Sequence, residues 1–75
     1  MENAELDRLR LNYKAAVERW IAAIRAEEDL ATADHSMIAL EKWDQAHFAE
    51  DDARNMAKAA RQEYQDALRE VLYNF

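Results

Sequence analysis

Residues 39–67 read ALEKWDQAHFAEDDARNMAKAARQEYQDA, and five alanines divide them into sevens: Ala39, Ala46, Ala53, Ala60 and Ala67. Trp43, Ala57, Tyr64 and Val71 accompany that ladder, and the chain ends at Phe75. A sustained seven-residue repeat lays one stripe along a helix and favours a shallow crossing with a partner helix. Alanine fills little volume, so the seam is expected to be narrow through residues 46 to 60, where leucine would push the helices apart.

The first half carries its own stripe. Leu6, Leu9, Tyr13, Ala16, Val17, Trp20, Ala23, Ile24 and Leu30 (or Ala31) recur in steps of three and four, the spacing of one face of an amphipathic helix. Asn3 is suited to cap it, with Glu5 and Asp7 in the first turn, where the helix dipole favours negative charge. Between the stripes, residues 31–36 (Ala-Thr-Ala-Asp-His-Ser) form the one cluster of poor helix formers, and Thr32, Asp34 or Ser36 could each cap a second helix.

Composition agrees with few, long helices. The chain has no glycine and no proline, and 16 of its 38 hydrophobic residues are alanine, the best helix former. Two valines, three isoleucines and one threonine are too few to line a sheet. The expected fold is all-α: a long antiparallel hairpin with helix 1 over about 3–31, a turn at about 32–35 and helix 2 over about 36–74. The competing fold is one unbroken helix on the order of 100 Å long, which would draw all its burial from other chains. Glu27, Glu28 and Asp29 resist the hairpin reading, because they load the end of helix 1 where the dipole prefers cations.

Seventy-five residues seldom make a self-sufficient core, and with no cysteine there is no disulfide to reinforce one. Zinc would have to rely on two histidines and carboxylates. Oligomerisation is the reinforcement expected, giving a dimeric four-helix bundle. Folding at about residue 33 sets Trp20 near Ala46, Tyr13 near Ala53 and Leu6 near Ala60, and uses helix 2 only to about residue 65. Leu68, Val71, Leu72 and Phe75 then run past the partner helix as an apolar overhang that a second subunit would cover. Leu11 and Phe48 lie opposite their helices' main stripes; Leu11 reads as an ordinary exposed apolar residue, and Phe48 as a dimer or partner contact.

Chemistry is sparse. Asp44, His47 and Asp51 share a helical face, and Asp44-x-x-His47 is similar in spacing to the Glu-x-x-His of di-iron helix bundles. That face points away from the alanine seam and reads as solvated surface. The acidic runs 27–29 and 50–52 are not expected to meet, because residue 51 pairs near residue 15. Trp20 and Trp43 read as core. No catalytic, cofactor or metal site is expected, and the chain is read as a non-enzymatic interaction or structural module acting as a homodimer. Two further readings are a small adaptor or chaperone holding a client protein, and an acidic regulator competing for a basic nucleic-acid-binding surface.

Sixteen acids against ten bases, net −6, disfavour direct nucleic-acid binding, since the bases are scattered among the acids. No apolar run reaches the ~18 residues of a membrane span, and the acidic N-terminus lacks the order of a signal peptide. The expected location is the cytoplasm.

Overall fold

The structure, a computed structural model, describes residues 3–31 and 36–73. Two helices, α1 (Asn3–Leu30) and α2 (Met37–Tyr73), pack against each other as a hairpin. The unbroken rod is therefore not the fold. Thr32, Asp34 and His35, the expected turn, and Phe75 at the end of the overhang lie outside the described residues.

Local chemistry accounts for the inner helix ends. Ser36 caps α2: its Oγ accepts a hydrogen bond from the Ala39 amide at 3.1 Å, while its carbonyl accepts the first helical bond from Leu40. α1 closes with a tighter bond from the Ala31 amide to the Glu28 carbonyl, 3.0 Å, as is common in a last helical turn. No basic residue stands in that turn to meet the dipole. Exposed pairs one turn apart, such as Arg8–Glu5 and Arg69–Asp66, decorate the surface and contribute little to stability.

The seam is lined as its residue types require. Ala39, Ala46, Ala53 and Ala60 are half-buried, and Ala57 and Ala67 are buried, with 3% and 4% of their surface exposed. Leu9 and Ala16 are the buried apolar residues of α1. Among the described residues no large side chain is fully enclosed. A core made chiefly of methyl groups removes little apolar area from water, so it stabilises the hairpin only modestly.

Side-chain contacts between the helices join higher residue numbers than the expected pairs. Trp20 reaches Glu50 rather than Ala46, and Glu27 reaches His47. Side chains lean toward the N-terminus of their own helix. In an antiparallel pair the two leans are opposed, so a contact joins residues whose numbers sum to more than the backbone register alone implies. The cover on α2 also extends further than expected. Ala67 is buried and Leu68 half-buried, which corrects the expectation that α2 is uncovered beyond residue 65. The exposed apolar end begins instead at Val71.

Candidate functional site

Where α1 approaches its end, Trp20, Ile24 and Glu27 face Trp43, His47 and Glu50 of α2. Glu50 decides the character of this region. It is 9% exposed, a carboxylate in the helix–helix seam, and its Oε1 accepts a hydrogen bond from Trp20 Nε1 at 2.7 Å. Burying an ion is costly unless donors replace its water, and the indole supplies one such donor.

His47 stands one turn before Glu50, at the rim. Its Nδ1 lies 3.6 Å from Glu27 Oε1 across the helix pair, and its Nε2 lies 3.9 Å from Asp51 Oδ2 on its own helix. Asp51 is in turn paired with Arg54. One ligand-capable atom from each of Glu27, His47 and Glu50 falls within 4.8 Å of the others. An open cleft of about 430 Å³ adjoins them, lined by Ile24, Glu28, Ala31 and Trp43 besides the three polar residues. Its chemistry is an apolar wall with an acidic floor and one imidazole.

These positions correct the readings of the acidic runs and of the two tryptophans. The acidic runs do meet: Glu27 from the first and Glu50 from the second converge on His47, because the leaning contacts reach across where simple register pairing does not. His47 and Asp51 are neighbours as their shared face implies, and Asp44 is exposed, in keeping with its reading as solvated surface. Trp43, read as core, is 41% exposed as a wall of the cleft, and Trp20, also read as core, is half-buried with a polar partner.

The signal for Glu50 and Glu27 was present in the spacing. Glu50 sits midway between Trp43 and Ala57, seven residues from each, and Glu27 continues the series Leu6, Tyr13, Trp20. A stripe read through its apolar members alone passes over the carboxylates standing in it.

The expected interface residues are distributed along α2. Phe48 is 67% exposed, its ring tilted beside that of His47 with centroids 6.1 Å apart. Leu68 is half-buried in the hairpin, Val71 and Leu72 are exposed, and the structure groups neither with Phe48. Ile21, Leu40 and Met56 are further exposed apolar residues. Among the described residues no helix is long and apolar enough to cross a membrane. No family model matches the chain, and no curated protein and no solved structure is significantly similar to it.

Proposed function

We propose that this chain is a non-enzymatic protein–protein interaction module that works as a homodimer, two hairpins stacking into a four-helix bundle. The observation that carries this reading is the surface area. The hairpin exposes 5938 Å², against about 4,800 Å² for a compact monomer of the same mass. The excess of roughly 1,100 Å² is of the size that one partner loses in a standard interface, about 800 Å².

The shape supports the same reading. The molecule measures 55 × 17 × 12 Å, and its smallest dimension is about one helix diameter. Stable domains are built from at least two layers enclosing a core, and one layer of two helices leaves both broad sides in water. Ile21, Leu40, Trp43, Phe48, Val71 and Leu72 supply exposed apolar surface for a second layer.

Sedimentation equilibrium of the full chain tests this directly. At micromolar concentration the expected mass is twice the 8.8 kDa of one chain. A single-chain mass up to about 100 µM, a dissociation constant too weak for a working dimer, would overturn the proposal.

A further inference from the structure

We propose that Glu27, His47 and Glu50 form a binding site for one divalent transition-metal ion, with Zn²⁺ the best fit to the donor set. An imidazole and two carboxylates are borderline-to-hard donors of the kind that zinc accepts, and calcium or magnesium sites are built from oxygen alone. Zinc holds such donors at about 2.0–2.2 Å, which puts neighbouring ligand atoms roughly 3.4 Å apart in a tetrahedron. The three atoms already lie within 4.8 Å of one another. Side-chain rotation closes the difference, and the cleft beside them leaves room for water as a fourth ligand.

Independent features of the surroundings point to a ligand rather than to an acidic surface alone. Glu50 is nine-tenths buried in the seam, and among the described residues no lysine or arginine lies within ion-pair distance of it. Its Oε1 is held by the Trp20 indole, which orients the carboxylate while leaving it acceptor capacity for an ion. His47 Nδ1 faces Glu27, and its Nε2 lies 3.9 Å from Asp51 Oδ2, longer than a hydrogen bond, with Asp51 itself paired to Arg54. A small side-chain rotation would let Asp51 accept from Nε2–H and aim Nδ1 at an ion, the usual outer arrangement of metal-bound histidines. The ion would also answer the misplaced charge at the end of α1, where Glu27, Glu28 and Asp29 oppose the dipole and the last turn holds no base. Metal and dimer are separate claims, since all three ligands come from one hairpin.

Titration calorimetry of zinc chloride into the full chain, in a non-chelating buffer, tests the site. The expected result is saturable binding at one ion per chain, undiminished by millimolar magnesium. Co²⁺ should bind in competition with zinc and give visible absorption bands of a four-coordinate nitrogen–oxygen site. Glu50→Gln keeps the acceptor for Trp20 and should weaken binding at least tenfold. His47→Ala, at a half-exposed position that the fold does not depend on, should abolish the cobalt spectrum. Trp20→Phe leaves all three ligands in place and should weaken binding about tenfold through lost orientation. Circular dichroism confirms that each variant is helical before it is scored; should Glu50→Gln unfold, His47→Ala carries the test. No saturable zinc binding, or binding that survives both His47→Ala and Glu50→Gln, would overturn the assignment.

Discussion

Glu50 occupies a seam position flanked one heptad either way by Trp43 and Ala57, and Trp20 is the donor that makes a charge tolerable there. The pair has a measurable consequence in the metal-free protein. Trp20→Phe keeps an aromatic ring at the site but removes the N–H, leaving a buried carboxylate one donor short. Hydrogen bonds to charged groups contribute about 1.5–3 kcal/mol net, so the variant should lose about that much in urea unfolding monitored by circular dichroism. A loss below about 0.5 kcal/mol, the scale of an ordinary surface substitution, would mean that water replaces the indole without cost. Glu27 and Glu50 stand in the apolar stripes in plain view, but a stripe is normally traced through its hydrophobic members. Their convergence on His47 depends on side-chain lean, which residue spacing along one helix does not encode.

At the scale of the element, α2 is defined by alanines at the seam and by Ser36 at its start. Three capping candidates were legible in residues 31–36, and of these Ser36 is seen to accept the Ala39 amide, while Thr32 and Asp34 lie outside the described residues. The narrow seam can be tested where it is most buried. Ala57 is 3% exposed, with no room for a longer side chain unless the helices separate. Ala57→Leu should therefore destabilise the protein by about 1–3 kcal/mol, the usual cost of overpacking, and lower the melting temperature despite the added hydrophobicity. An unchanged or higher melting temperature would show that the alanines are not holding a close approach. The heptad was readable because it is periodic within one helix. Trp43 belongs to the same repeat and yet is partly exposed, because α1 does not cover the whole stripe where the cleft opens.

For the whole molecule, slenderness is the governing fact. A radius of gyration of 17.0 Å compares with about 11 Å for a compact domain of this length, and it follows from two long helices with no third element to fold over them. The C-terminal end shows what this leaves exposed. Val71 and Leu72 are 42% and 69% exposed in the hairpin, so replacing both with aspartate should leave the hairpin itself intact. If they lie in the dimer contact, the double variant should weaken dimerisation at least tenfold in sedimentation, since it puts two charges where water is excluded. A dimer of undiminished affinity would move the contact to other exposed apolar residues, such as Ile21, Leu40 and Trp43. The overhang itself is shorter than spacing alone suggests, because Ala67 is buried and Leu68 half-buried.

From its residues alone this chain was bound to be helical, with an alanine face on its second half and one weak point at residues 31–36 that left a hairpin and an unbroken rod both open. Helix propensity, capping and periodicity act over a few neighbouring residues, and each is written out in order along the chain. The tertiary structure decided which side chains meet across the helix pair, and with it which carboxylates share a histidine and where the cover on α2 stops. That pairing depends on how opposed side chains lean and fit. At about 1.5 Å of rise per residue, a change of a few positions is enough to separate Glu27 from Glu50 or to bring them together.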